Sequence, residues 1–379
     1  GGAVHGKLDD VKIITNKFKG GMIADLAFRL AELNKDFDIT YLTAKGMSLP
    51  NTSSNFNISI VYHDGFYDYY DKVLEYCKTF DAVILGAAIA NLIPKTPFPG
   101  KFPSHNYKIG EEINIPFIIA PRIITEVKKI NPNIKLYGFK LLSNVDHNYL
   151  IDIAYDLCLE TKADVIFAND IKDIKRKYAV TKEKAIIPFI QSETYSSTDT
   201  TFFDFIAESI RDKHYHTKII DYIETKSLQR EEYKKLINKF FKLFVEENKY
   251  LFGCLAYKNN PYDFFVSSRG KNDYNEISHV VYVSEKNKEV IANKKASLNA
   301  PFLHQIFLKN PDVQYIFHGH NIEKAVELFP EYFIKEFITY NYCFPGTERE
   351  TRIATENMTS FMIKHHGYYL LFDKNNNLI

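Results

Sequence analysis

The sequence predicts an α/β first half and an α+β second half, and the two patterns that predict this differ in how strands and helices follow one another. Up to about residue 190, runs with helical period alternate with runs of β-formers, which is the pattern of parallel strands joined by crossover helices. Beyond about residue 229, strand-like runs follow one another with helices flanking them, which is the pattern of a mainly antiparallel set. At 379 residues the chain is long for one core and comfortable for two. The expected division is therefore 1–190, a connecting segment with a helix at 191–228, and 229–379.

In the first half, GMIADLAFRLAELNK is amphipathic and reads as a helix, FDITYLTA as a strand, FYDYYDKVLEYCKTF as a helix and DAVILGAAI as a buried strand. PRIITEVKKI is a helix, KLYGFKLL a strand, NYLIDIAYDLCLETK a helix and ADVIFAND a strand. RKYAVTKEKAIIPF closes the half as a hairpin. Such alternation gives a Rossmann-like layered sheet, whose ligands bind beyond the carboxyl ends of the strands. The stretch LIPKTPFPGKFPSHNYKIGEE, with four prolines, two glycines and no periodicity, reads as a functional loop or flap. The Ser/Thr-rich QSETYSSTDTTFFDF marks the boundary, followed by a helix FFDFIAESIRDKHY. In the second half LQREEYKKLINKFFKLFVEENKY is a helix and LFGCLAY, DFFVSS and HVVYVS are strands. A helix NAPFLHQIFLKN, the strand VQYIFHGHN, two helical patches and a pair of strands around MTSFMIKHHGYYLLF complete it.

Composition excludes several classes of function. With 48 Lys+Arg against 47 Asp+Glu the formal charge is +1, so no long-range field gathers nucleic acid or an anionic membrane. The four cysteines, Cys77, Cys158, Cys254 and Cys343, form no C-x-x-C pair and suggest neither a zinc knuckle nor a disulfide framework. No basic n-region precedes an apolar h-region, and the apolar run AVILGAAIANLI is shorter than the ~18 residues of a membrane span. The expectation is a soluble cytoplasmic protein with small-molecule substrates. The absence of Trp beside 26 Tyr and 30 Phe reads as codon bias rather than function.

Two motifs carry chemistry. Gly1-Gly2, and Gly20-Gly21 just before a helix, offer backbone free of Cβ that can close on a phosphate at the positive end of a helix dipole, or can simply form turns. In YIFHGHNI, His318 and His320 stand at i and i+2 of a strand and aim two imidazoles the same way. A catalytic zinc site takes three protein ligands and leaves a fourth position open. The third candidate is His366, in KHHGYYLL. Its neighbour His365 reads as a second-shell or surface group, and His214, His216 and His304 as surface or packing.

The opening GGAVHGKLDDVKIITNKFKGGM resembles the first motif of phosphopantothenoylcysteine synthetases, closest to the stand-alone bacterial form. That motif runs Gly-Gly-Thr, Val-Arg-x-Ile-(Ser/Thr)-Asn and a Ser-Ser-Gly-type loop. DAVILGAAIANLIP, PRIITEVKKINPNIKLYGFKLL and ADVIFANDI are similar to three later motifs of that family, in order, to about residue 185. The resemblance implies ligation of 4′-phosphopantothenate to cysteine through an acyl-nucleotide, with CTP or ATP and Mg²⁺. It implies that Asn16 holds the acyl-nucleotide, since a carboxamide donates to an oxyanion without adding charge. It also implies that Lys108 in NYKIGEE closes over the intermediate, and that Gly1, Gly2, Gly20, Ala88 and Asn169 bind nucleotide or phosphate. Asn91 stands where the family has Asp, Ala3 makes Gly-Gly-Thr into Gly-Gly-Ala, and Phe18-Lys19-Gly20 replaces Ser-Ser-Gly. The family's first β-strand would precede Gly1.

NPDVQYIFHGHN, YCFPGTERE and FMIKHHGYYLLF resemble the Pro-Asp-Val…His-x-His, Pro-Gly-(Ser/Thr)-Glu and Leu-x-x-His-Gly segments of the class II aldolase/adducin family, over roughly residues 230–379. The resemblance implies that His318, His320 and His366 bind Zn²⁺ or another divalent ion. It also implies that Ser267, Ser268 and Gly270, with Ser297, hold a substrate phosphate. Asn299 stands at the family's proton-transfer Glu, and an amide cannot shuttle a proton at neutral pH. Three readings follow: a ligase fused to a metal-binding domain; a metal-dependent lyase or dehydratase regulated through a nucleotide-binding first half; or a second half serving assembly alone. Both families form oligomers, so a homo-dimer or homo-tetramer is expected.

Overall fold

The computed structural model describes residues 1–52, 55–190, 201–221, 228–247 and 250–379. The chain divides into two compact units, Gly1–Ile210 and Arg211–Ile379. Of the expected connecting segment, residues 191–200 and 222–227 lie outside the described residues. Its helix packs within the first unit, where Phe202 and Phe205 meet Phe167 at ring distances of 4.7 and 6.2 Å.

Element order in the first unit is β1 (Ala3–Val4), α1 (Gly21–Leu33), β2 (Ile39–Thr43), β3 (Ile58–Tyr62), α2 (Phe66–Cys77), β4 (Ala82–Leu85), β5 (Ala88–Ile89), β6 (Leu92–Pro94), β7 (Phe117–Ile119), α3 (Ile124–Ile130), β8 (Lys135–Leu142), α4 (His147–Thr161), β9 (Val165–Asp170), β10 (Arg176–Thr181), β11 (Ile186–Ile190) and α5 (Phe202–Arg211). Among the described residues a five-stranded sheet has the order β11-β10-β9-β8-β4. Its β4, β8 and β9 are parallel and its terminal hairpin antiparallel. β1 pairs with β5 and β2 with β3, each in parallel. β9 is an apolar run buried from Val165 to Asn169, as a strand covered on both faces must be. α4 starts because the Asp146 side chain accepts from the backbone of Asn148 and Tyr149, and it ends at Lys162 in the left-handed region. Its Leu150, Ile151, Ala154, Tyr155 and Cys158 recur at helical spacing and join the first core. The expected strand 81–89 is two strands, interrupted at Gly86, where a Cβ would lie 2.3 Å from Ile23 Cδ1.

The second unit runs β12 (His216–Ile219), α6 (Leu228–Phe240), β13 (Cys254–Lys258), β14 (Phe264–Ser267), β15 (Ile277–Ser284), β16 (Glu289–Ala292), α7 (Ala300–Lys309), β17 (Tyr315–Gly319), α8 (Ile322–Leu328), β18 (Ile338–Tyr340), α9 (Glu348–Thr351), β19 (Phe361–Ile363) and β20 (Gly367–Phe372). Among the described residues these strands form a nine-stranded sheet, β12-β16-β15-β14-β13-β17-β20-β19-β18, antiparallel except at its two outermost pairs. Alternation along the strands sorts side chains to two faces. Ala256, Phe264, Ile316 and Leu371 meet Phe302, Leu303 and Ile306 of α7, while Leu255, Phe265, Phe317 and Leu370 meet Tyr233, Ile237 and Phe240 of α6. α6 is shorter than its periodicity predicts. After Phe240 the chain makes a 3-10 turn and a short strand, Val245–Glu247, because the run FFKLFV presents apolar residues at a spacing that helix and turn both satisfy. The expected strand LFGCLAY breaks at Gly253, whose φ of 111° a residue with a side chain rarely adopts. No helix among the described residues is long and apolar enough to cross a membrane.

Candidate functional site

β13, β17 and β20 are neighbours, and their register sets Cys254, His318 and Tyr369 side by side across three strands. His318 is 1% exposed and its ring stacks on Tyr369 at 4.2 Å. His320 follows the last residue of β17, and His366 sits at the turn that opens β20, so the three rings converge at centroid distances of 4.7, 4.7 and 5.4 Å. One ligand nitrogen from each lies within 4.8 Å of the others. His318 Nδ1 donates to the Tyr368 carbonyl at 3.1 Å, which fixes the tautomer and turns a bare Nε2 lone pair to the cluster. His318 Nε2 and His366 Nδ1 are buried with no hydrogen-bond partner, a costly arrangement that a cation would relieve. Burial, then mutual repulsion, holds His318 and His366 well below the usual histidine range, and burial with the charge of Lys271 brings His320 down to about 4. Three neutral imidazoles, two of them with orphaned nitrogens, are the donor set that a divalent transition ion accepts.

The other expected residues of this half are placed as follows. The Ser267 hydroxyl accepts from Leu255 N at 3.1 Å and meets Tyr233 Oη at 3.0 Å, while Ser268 Oγ meets Ser278 Oγ at 2.9 Å. Both hydroxyls are thus engaged within the sheet. Gly270 has a φ of +67° and open space where a Cβ would be. Ser297 Oγ accepts from Asn299 N at 3.3 Å. Asn299 is the N-cap of α7, buried, and its Oδ1 has no hydrogen-bond partner. His365 is exposed on the turn, with a φ of 61°. His304 is buried in α7 at 3% exposure, against Phe264.

In the first unit the convergence is made by backbone. Gly20 is the N-cap of α1 with a φ of 81°, and a Cβ built there would lie 2.3 Å from Gly2 N. Gly1 N donates to Leu42 O at 2.6 Å and Ala88 N to Gly2 O at 2.9 Å. The Asn16 carboxamide then donates to Ala88 O at 3.1 Å. Gly1, Gly2, Asn16, Gly20 and Ala88 therefore lie together at the start of α1. The first turn of that helix carries no acidic residue, which leaves its positive end open to an anion. Asn169, 7% exposed, is at the carboxyl end of β9, and Lys108 is exposed on the loop between β6 and β7. No described hydrogen bond or ion pair joins either to Asn16. That loop is anchored: Asp9, 1% exposed, accepts from the amides of Val11 and Phe102 at 2.7 and 2.9 Å. Burial works against the Asp9 charge, but these amides and Lys12 outweigh it and hold the carboxyl far below its usual range.

Sequence reasoning missed Lys271, Glu350 and Tyr369. Glu350 is fully buried, accepting from Gly346 N at 2.6 Å and Tyr369 Oη at 3.3 Å. The signal lay in TERE, read only as part of a motif. Lys271, in the polar run GKNDYNE, carried no signal at all.

Comparison with known proteins finds curated relatives that match a little under half of the chain, and similar solved structures. The coenzyme A biosynthesis bifunctional protein CoaBC of Methanocaldococcus jannaschii is 27% identical over 181 residues, covering 46% of this chain and 42% of that protein. The chain thus spans about two fifths of the length of this curated relative. A DNA/pantothenate metabolism flavoprotein from Streptococcus pneumoniae has 22% identity and a TM-score of 0.45, covering 55% of this chain and 93% of that one. For the C-terminal part, an L-fuculose 1-phosphate aldolase has 16% identity and a TM-score of 0.30, covering 39% of this chain and 76% of that one. TM-scores this low carry no functional weight. The family model for the DNA/pantothenate metabolism flavoprotein C-terminal domain matches residues 1–216, more than half of the 379, and the chain belongs to that family.

Proposed function

We propose that the first unit is a ligase of coenzyme A biosynthesis that joins 4′-phosphopantothenate to cysteine through an acyl-nucleotide. The observation that carries this reading is the meeting of Gly1, Gly2, Gly20, Asn16 and Ala88 at the start of α1, within the region the family model covers. A carboxylate oxygen attacks the α-phosphorus of CTP or ATP and pyrophosphate leaves. The cysteine amine then attacks the activated carbonyl, the nucleoside monophosphate departs, and the amine proton passes to solvent. Bare glycine backbone and the N-terminus of α1 receive phosphate oxygens, and Asn16 donates to the oxyanion without adding charge. Lys108, on its loop, is the cation that closes over the anionic intermediate. Mg²⁺ accompanying the nucleotide would screen the triphosphate.

The His318, His320 and His366 cluster favours a second reading beside the first: the second unit binds Zn²⁺ or a similar divalent ion and acts as a lyase or dehydratase on a small phosphorylated molecule. Held by His318, His320 and His366, such an ion would act as a Lewis acid toward a carbonyl oxygen of the ligand. His318 is oriented by Tyr368 O, and the stacked Tyr369 keeps its ring in place.

The experiment is pyrophosphate release with CTP or ATP, Mg²⁺, 4′-phosphopantothenate and cysteine, beside the Asn16→Asp variant. Release that requires phosphopantothenate and falls in the variant is expected. No release with either nucleotide would overturn the ligase reading and leave the second unit as the catalyst.

A further inference from the structure

Lys271 is a buried amine beside the histidine cluster that none of the motifs above accounts for. It is 5% exposed, and its ammonium donates to Gly253 O at 2.7 Å while lying 5.3 Å over the Phe244 ring. Gly253 precedes Cys254, the strand partner of His318, and a Cβ on Gly253 would lie 3.3 Å from His318 O. The kink at Gly253 thus turns a carbonyl toward Lys271 and anchors the amine next to the strand that carries the cluster. Burial brings the amine down to about 8, so it still holds its proton at neutral pH.

This charge lacks a partner of opposite sign. Among the described residues no carboxylate forms an ion pair with Lys271, and Glu276 acts on it only at longer range. The buried carboxylate of Glu350 is engaged by Gly346 N and Tyr369 Oη. A buried ammonium without a counter-ion is destabilising unless a ligand supplies one. The three metal-ligand candidates are neutral imidazoles, so a divalent ion there would add positive charge and deepen the imbalance.

We propose that Lys271 forms the anion subsite of this centre, for a small ligand that places one oxygen at the open position beside the histidines and a carboxylate or phosphate oxygen against Lys271. This rests on the metal-binding reading above. It assigns the ligand a class: an oxyanion carrying a second donor oxygen, such as a 2-hydroxycarboxylate, or a phosphate. It also gives the site a charge contact that the engaged hydroxyls of Ser267 and Ser268 do not offer.

The test uses the full chain, titrated with Co²⁺ and then with glycolate or inorganic phosphate, followed through the visible Co²⁺ spectrum and by calorimetry. Wild type is compared with Lys271→Met and Lys271→Arg. Lys271→Met is expected to bind Co²⁺ at least as tightly as wild type, because a repelling charge has gone, and to bind the preferred anion about tenfold more weakly or worse. Lys271→Arg is expected to restore anion binding to within about threefold, which a purely structural lysine would not predict. A stronger loss for glycolate assigns the carboxylate, and a stronger loss for phosphate assigns the phosphate. Co²⁺ binding with equal anion affinity in wild type and Lys271→Met, or with no anion binding to wild type, would overturn the proposal alone. Failure of wild type to bind Co²⁺ would overturn the metal reading and this inference with it.

Discussion

Gly2 and Gly20 in the first unit meet through bare backbone, whereas His318, His320 and His366 in the second meet through their rings. The difference has a physical root. A parallel sheet leaves loops and helix N-termini at its carboxyl edge, where unpaired amides already favour an anion and a side chain would be in the way. An antiparallel sheet covered on both faces has no such edge at its centre, so a site there must be built from side chains at aligned register positions. Cys254, His318 and Tyr369 are such a row.

The comparison breaks most sharply at Asn16, whose side chain joins the glycine backbone through Ala88 O. Asn16→Asp turns a neutral carboxamide into a carboxylate facing an anionic intermediate. Phosphopantothenate-dependent pyrophosphate release should fall about 100- to 1000-fold, the range for losing one oxyanion donor. In the second unit, His318→Ala should lower Co²⁺ or Zn²⁺ affinity by at least about 100-fold, more than removal of an outer partner costs. Calorimetry on the full chain reads this directly, and unchanged affinity would remove His318 from the donor set.

A third prediction separates the cluster from a histidine of the same unit that only packs. Burial brings His304 down to about 4, from 6.5 when unfolded, and neither ring nitrogen has a partner. Between those values the unfolded chain holds the proton and the folded chain does not. The neutral ring's stability is therefore present above pH 6.5 and lost as pH falls toward 4, to a total of about 3 kcal/mol. Denaturant titrations at pH 7 and pH 4.5 should show the loss in wild type and a smaller one in His304→Phe. An equal loss in both would place the acid sensitivity elsewhere. Smallest is Gly20→Ala, where positive φ and the approach to Gly2 N should cost about 1–3 kcal/mol of stability in equilibrium unfolding.

The same contrast governs what was legible in the sequence. Element types follow from periodicity, so the alternating first half and the antiparallel second half read directly from α4, β9 and the β17–β20 pair. The ends of elements do not, because FFKLFV, which begins at Phe240, satisfies helix and turn alike, and the break at Gly253 leaves the apolar pattern around it intact. His318 and His320 were legible from their spacing, and His366 once a third ligand was sought. Gly20 and Gly2 stood out as pairs, but their meeting depends on how α1 and β1 fold together, which no local pattern states. Lys271 was invisible for a related reason. A lysine in a polar run reads as solvated, and only the placement of Gly253 O makes it a buried charge.

The most direct measurement withholds cysteine. The full chain, incubated with 4′-phosphopantothenate, Mg²⁺ and either CTP or ATP, should accumulate the phosphopantothenoyl-nucleotide, seen by mass spectrometry together with one equivalent of pyrophosphate, and addition of cysteine should discharge it. Absence of that species with both nucleotides, from protein whose fold is intact by circular dichroism, would contradict the assignment of the glycine and Asn16 cluster as a ligase site.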